Sequence, residues 1–301
     1  MKNKSFDAIY RNAPSHQVDE LLKFRSTHPV QQRSIDGVVW NYILSGLGLE
    51  TIVILGGPLS TPEMPYRSIL NLEQDYRVLS LSYSVFNRID NFIDGLAKLL
   101  DLEGIERFHL RGTSLGAGIC HVLIRRQSIG ETHPLKDRVD KLILSTFGLY
   151  SSKKISWVKI LVWLFQLLPY WITSKYINFT MSSSLKENDE FNPLFNIAHN
   201  QDMIDYQNNK QTLISHYQMV IDLFENSSYN LEQEIDGSAV LIIETQDEKS
   251  LDLSEQNAFR KTYSNAHIHF FESGGHLREI THQDEYPAIV RDFMTRKKQE
   301  S

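Results

Sequence analysis

Ser114 stands in Gly112-Thr113-Ser114-Leu115-Gly116, a G-x-S-x-G pattern that follows the short run Arg107-Phe108-His109-Leu110-Arg111 and precedes the helix-like Ala117 to Ile124. A serine on such a sharp strand-to-helix turn stands clear of its sheet and can attack a carbonyl carbon once a base takes its proton. Glycines two residues before and two after it let strand and helix approach closely. Further along, the run Ala239 to Glu244 leads into Thr245-Gln246-Asp247-Glu248, and the run His267 to Glu272 leads into Ser273-Gly274-Gly275-His276. His276 is therefore the expected base and Asp247 the expected acid that fixes its tautomer, with Glu244 and Glu248 as neighbours able to take that place. The oxyanion of such a reaction needs two backbone donors: Leu115, the residue after the nucleophile, supplies one, and Gly57 in Leu55-Gly56-Gly57-Pro58 is expected to supply the other. Pro58 has no N–H to offer.

These residues need a sheet whose strand ends meet at one edge. The expected strands are Val38 to Leu44, Thr51 to Leu55, Arg77 to Tyr83, Arg107 to Arg111, Lys141 to Thr146, Ala239 to Glu244 and His267 to Glu272. Runs such as Val53-Ile54-Leu55 and Val240-Leu241-Ile242-Ile243 are apolar on both faces, which suits strands covered by helices on each side. Between strands, Ile89, Phe92, Ile93, Leu96, Leu99 and Leu100 recur at helical spacing and stop before Gly104. Strand and helix in alternation imply an α/β fold with a mainly parallel sheet, and the Asp36-Gly37 turn implies an antiparallel hairpin at its start. The alternation lapses after Leu149, where Asn- and Ser-rich joints such as Ser182-Ser183-Ser184 and Asn226-Ser227-Ser228 separate helical stretches. The expected organisation is a core formed by residues 1–149 and 237–301, with a helical cap inserted at 150–236.

The chain has 301 residues, 41% hydrophobic and 23% charged, with a formal net charge of −6. That balance gives no reason to expect nucleic acid as a partner. One cysteine, Cys120, and a polar N-terminal stretch Met1 to His16 make the cytoplasm the expected compartment. The apolar stretch Ile160 to Ile172 is interrupted by Gln166 and Pro169 and is too short for a transmembrane segment, so a buried or interfacial helix is expected there. No metal site or cofactor is expected, since His267-Ile268-His269 has no accompanying ligand cluster. Trp157, Trp163, Phe165 and Trp171 crowd one part of the cap, together with Tyr170 and Tyr176. As the roof of a pocket they would bind a lipophilic substrate; the alternatives are core packing, or a peripheral contact with a membrane or another protein.

The strand, elbow and helix around Ser114, with acid and histidine following in that order, resemble the α/β-hydrolase superfamily. Within it the chain is similar to the maspardin group, through Phe24-Arg25-Ser26-Thr27-His28-Pro29, Tyr76-Arg77-Val78, Asp94-Gly95, Lys98-Leu99-Leu100-Asp101 and the elbow itself. Members of the superfamily commonly carry His-Gly-x-Pro in the loop that donates to the oxyanion, so the resemblance sets Leu55 in the histidine's place. The maspardin likeness implies a non-enzymatic binding protein of the endosomal system with asparagine at the catalytic histidine. This sequence has His276 there instead. The expected function is thus a serine hydrolase cleaving a small lipophilic ester or thioester through an acyl-enzyme. Alternatives are a maspardin-like binding or adaptor protein, and an acyltransferase or cyclase using the same triad.

Overall fold

Asp36 and Gly37 both take positive φ, 51° and 79°. That backbone matches the right-handed twist of paired strands and folds β1 (Gln31–Ile35) back on β2 (Val38–Ser45) as an antiparallel hairpin. The computed structural model describes residues 5–147, 152–188, 193–207, 210–226, 235–249 and 251–296. The strands that follow are β3 (Thr51–Leu55), β4 (Arg77–Leu81), β5 (Phe108–Thr113), β6 (Val139–Ser145), β7 (Ile235–Asp236), β8 (Val240–Thr245), β9 (Tyr263–Ser264) and β10 (His267–Phe271). Eight of them form one sheet in the order β1-β2-β4-β3-β5-β6-β8-β10, parallel from β4 through β10; β7 and β9 pair separately. The two short strands have no counterpart among the expected ones, being too brief to leave a hydrophobic period.

Helices α1 (Phe6–Tyr10) and α2 (Ser15–Thr27) precede β1, and α3 (Tyr66–Leu72), α4 (Ile89–Leu102) and α5 (Leu115–Ser128) are interleaved with the first strands. The doubly apolar strands divide their side chains between two cores. Val53 and Leu55 of β3, with Val240 and Ile242 of β8, join the side chains of α4 and α5. Ile52, Ile54, Leu241 and Ile243 face the other way, toward α2, α3 and the C-terminal helix. Burying each such aliphatic side chain contributes about 1.5–3 kcal/mol, so neither face could be left open to water. Leu99, Leu100 and the other spaced apolar residues of α4 are all buried, and Gly104 leaves the helix at φ 67°.

Among the described residues, four helices lie between β6 and β7: α6 (Ser152–Leu167), α7 (Tyr170–Asn188), α8 (Pro193–Gln207) and α9 (Lys210–Asn226). The stretch Ile160 to Ile172 is divided between α6 and α7 at Leu168-Pro169, because a proline N has no hydrogen to continue the helix. Ser182-Ser183-Ser184 does not act as a joint: α7 runs through it, serine costing only a few tenths of a kcal/mol within a helix, on the order of its propensity. Tyr150, Ser151, Ser227 and Ser228 lie outside the described residues. After β8 come α10 (Leu253–Thr262), then α11 (Arg278–Thr281) and α12 (Glu285–Thr295). Among the described residues, no helix is long and apolar enough to cross a membrane.

Candidate active site

Ser114 joins β5 to α5 with φ 55° and ψ −117°, a conformation that an L-residue adopts only when its surroundings impose it. The imposition can be traced. Ser114 N–H donates to Ser145 O of the neighbouring strand at 3.0 Å, and Gly118 N–H donates to Ser114 O at 3.1 Å. A Cβ on Gly112 would lie 2.6 Å from the backbone of Ala117, and one on Gly116 would lie 2.1 Å from Leu55 O. Both glycines are therefore required by backbone contact. Gly116 N–H also donates to Gly56 O at 3.0 Å, tying the elbow to the loop after β3.

That loop brings Gly57 beside the serine. A methyl added to Gly57 would touch Ser114 Cβ at 3.6 Å and Oγ at 3.9 Å. Leu115 is the first residue of α5, so its N–H has no partner within the helix. The loop is held by a residue that gave no signal in the sequence, His216 of α9. Leu59 N–H donates to His216 Nδ1 at 3.0 Å, which fixes the other nitrogen as a donor, and Nε2 donates to Ser84 O at 2.6 Å. Burial lowers the pKa of this imidazole to about 4, so it is neutral and in a single tautomer at neutral pH.

His276 lies on the single helical turn Gly275–Leu277 after β10. The carboxylate facing its Nδ1 is that of Glu248, at 3.4 Å, with a side chain only 2% exposed. Asp247, expected as the orienting acid, is engaged elsewhere. It accepts the backbone N–H groups of Gly275 at 2.9 Å and Gly274 at 3.2 Å, and so shapes the turn that carries His276. The physical reason is that both glycines have positive φ, 110° at Gly274 and 49° at Gly275, which aims their N–H groups into one small nest that a carboxylate fills. Glu244, the other neighbour, is paired with Arg260. Glu248 in turn accepts from the buried Arg278 at 3.0 Å, whose guanidinium also donates to Ile243 O and Gly275 O.

Ser114, Leu115, Gly57 and His276 line one cavity of about 370 Å³. No hydrogen bond joins Ser114 Oγ to another group among the described residues. Beneath the elbow, Arg111 of β5 is fully buried and paired with Glu279, which also accepts from Thr113 Oγ1 and Ser68 Oγ, each at 3.3 Å.

The four aromatic residues expected to bind substrate do not line this cavity. Trp157, Trp163 and Trp171 are 71%, 57% and 51% exposed, while Phe165 is buried with Leu59, Ile177, Ile204 and Leu213 in a separate small core. Helix phase is the reason: α6 turns Val158 to the cavity, which leaves Trp157 and Trp163 on the outer arc. The inserted helices contribute Ile204, Leu223 and Phe224 instead, and a polar group, Asn196, His199 and Asn200. The last three recur at i, i+3 and i+4, a polar stripe that the sequence does carry.

The solved structures similar to this one share its architecture. A hydrolase from Pseudomonas aeruginosa PA01 superposes with a TM-score of 0.70 at 14% identity, covering 89% of this chain and 99% of its own. The enol-lactonase from Burkholderia xenovorans LB400 does so at 0.66 and 13%, covering 88% of this chain and 100% of its own. The chain has the α/β-hydrolase fold. In sequence it is similar to maspardin: the Danio rerio protein is 27% identical over 265 residues, which are 84% of this chain and 78% of that one. No protein-family model matches the chain.

Proposed function

We propose that the protein is a serine hydrolase that cleaves an ester or thioester with a lipophilic acyl group. The observation that carries this reading is that Ser114, at its forced positive φ, and His276 line one cavity, the imidazole backed by the buried Glu248. Ser114 Oγ attacks the carbonyl carbon as its proton passes to His276; the C=O bond opens to an oxyanion that the N–H groups of Gly57 and Leu115 receive. His276 then gives the proton to the departing alcohol or thiol, and water repeats the sequence on the acyl-enzyme. Glu248 takes the role first expected of Asp247, holding the Nδ1–H tautomer and countering the imidazolium charge. The single cysteine, Cys120, buried and with its pKa raised by burial, suits a reducing cytoplasm and plays no part.

Labelling by a fluorophosphonate tests the nucleophile: Ser114 is expected to be modified in the intact protein and Ser114→Ala to be inert. Equal labelling of the two, or none of either, sinks the proposal. A second reading, a non-catalytic binding protein on the same fold, is favoured by the maspardin likeness and by the unengaged Ser114 Oγ. Absence of labelling with retained folding is the outcome it requires.

The outer face of the inserted helices fits a lipophilic substrate held in a bilayer. Trp157, Ile160, Leu164 and Leu167 of α6, then Trp171 and Phe179 of α7, are exposed. No Asp or Glu occurs between Asp140 and Glu187 in a chain with 37 acidic residues. Exposed Lys175 sits with Nζ 5.3 Å from the Trp171 ring centroid. We propose that this face rests on an anionic lipid surface, with tryptophan at headgroup depth.

A further inference from the structure

The cavity above Ser114 is apolar on the side of α6, α7 and α9, where Val158, Ile177, Leu223 and Phe224 line it. It is polar on the side of α8, which turns Asn196, His199 and Asn200 toward it. Asn200 is 2% exposed, and its Nδ2 has no hydrogen-bond partner among the described residues. His199 is 6% exposed; Nδ1 lies 3.2 Å from Tyr10 Oη, and Nε2 has no partner among the described residues. Burial lowers the His199 pKa to about 4, so a neutral ring faces the cavity at neutral pH. Glu279 and Ser68 continue the polar strip and, through Thr113, bring it to the residue before the elbow serine.

A buried carboxamide without a partner costs stability that a leucine in the same place would not. Its presence in an otherwise apolar wall is explained when a ligand completes the bond. The charge pattern narrows the ligand. Arg111 neutralises Glu279, so the pair leaves no net charge for either an anion or a cation to meet. Arg67, which also lines the cavity, is held by two hydrogen bonds of 3.1 Å to Glu20. What remains among the described residues is one unpaired donor, Asn200 Nδ2, beside acceptors: Tyr10 Oη gives its proton to Asp202, so Nδ1–H of His199 donates to Tyr10 and its Nε2 accepts, as does the Glu279 carboxylate. A hydroxyl group, which accepts and donates through one atom, satisfies both.

We propose that Asn196, His199, Asn200 and Glu279 form a subsite for an uncharged, hydroxyl-bearing part of the ligand, a small polyol such as a glycerol unit, while the acyl chain lies along the apolar side. The assignment deepens the hydrolase reading of the same cavity, and its test reads binding without turnover. The full-length protein is titrated by calorimetry with 1-O-hexylglycerol and with hexyl methyl ether, neither of which the serine can cleave. The wild type is expected to bind the glycerol ether at least about tenfold more tightly, because a site built for hydrogen bonds rejects a partner that lacks them. Asn200→Leu is expected to abolish that preference and to keep or strengthen binding of the plain ether. If Asn200→Leu does not fold, Asn200→Ala is read in its place. Equal affinity of the wild type for the two ethers overturns the subsite, as does a preference that survives in the Asn200 variant. Fluorophosphonate labelling of the same samples reports on Ser114 separately, so failure of the nucleophile and failure of the subsite are told apart.

Discussion

At the scale of single residues, the assignment most open to measurement is the acid behind His276. Asp247 and Glu248 are neighbours on the loop after β8, and only the folded turn separates their duties: Asp247 receives the N–H groups of Gly274 and Gly275, and Glu248 faces Nδ1 of His276. Glu248→Gln is expected to lower kcat on a chromogenic ester by about 10³ to 10⁴, as loss of the orienting carboxylate does in such triads. Asp247→Asn keeps an acceptor oxygen in the nest and is expected to cost less than about tenfold, since the geometry of the base survives. The reverse order of effects would return the role to Asp247. Circular dichroism must accompany the kinetics, because Glu248 also partners the buried Arg278. Gly116→Ala makes a second residue-level test: its Cβ would sit 2.1 Å from Leu55 O, and a loss of about 3 kcal/mol in a urea titration is expected. Ser114, His276, Gly57 and the glycines around the elbow were legible in the sequence because turn chemistry fixes residue type at each place. The choice between two adjacent carboxylates was not, since a shift of one position on a loop leaves no pattern behind.

At the scale of elements, the loop after β3 depends on a helix more than a hundred residues away. His216 of α9 accepts from Leu59 and donates to Ser84, so it holds the Gly57 loop against the end of β4 only while neutral. Its pKa in the folded protein is about 4, that of His199 about 4 and that of His121 about 3, each lowered chiefly by burial from an ordinary value near 6.5. The sign follows directly. Above about pH 6.5 both folded and unfolded chains hold these rings neutral; below it the unfolded chain takes up protons that the folded chain refuses, so stability falls until the folded pKa is reached. The urea midpoint is expected to drop steadily between pH 6.5 and about pH 4, by up to about 1.4 kcal/mol per pH unit for each histidine. His216→Gln, which cannot titrate, is expected to flatten that limb by one histidine's share and to weaken ester turnover through the loosened loop. An unchanged slope would show that His216 is not buried neutral. The strands themselves were readable, because a strand covered on both faces must be apolar at every position. The clamp was not: one histidine inside an amphipathic helix is indistinguishable from a packed one until the loop it meets is in place.

At the scale of the whole molecule, the inserted helices have two apolar faces, and the question is what covers the outer one. The aromatic residues of this region admit three readings from sequence, a pocket roof, core packing or a peripheral contact, and Trp157, Trp163 and Trp171 are exposed. Sequence carries the amount of apolar surface in α6 but not which arc turns inward, and here the inner arc is taken by Val158, Val162 and Phe165. The outer arc continues through the Pro169 joint into Trp171 and Phe179 on α7, an exposed surface with no carboxylate in its sequence span. A bilayer carrying anionic lipid meets such a face with little acidic surface to desolvate, the adjoining Glu225 being paired with Lys159. The protein is therefore expected to sediment with phosphatidylserine-containing vesicles, less with purely zwitterionic ones, and more weakly as salt is raised. Trp40 is fully buried, so the three tryptophans on this face dominate any change in emission, and a blue shift on vesicle addition is expected. Replacing Trp157, Trp163 and Trp171 together by alanine should lower the partition by more than roughly tenfold, since burial of large aromatic side chains supplies most of the attraction. The labelling of Ser114 in solution should be unaffected by the triple replacement, because none of the three rings lines the cavity. Vesicle binding that survives the replacement would remove the face from the account, and a concentration-dependent dimer without vesicle binding would assign it to a second copy of the chain.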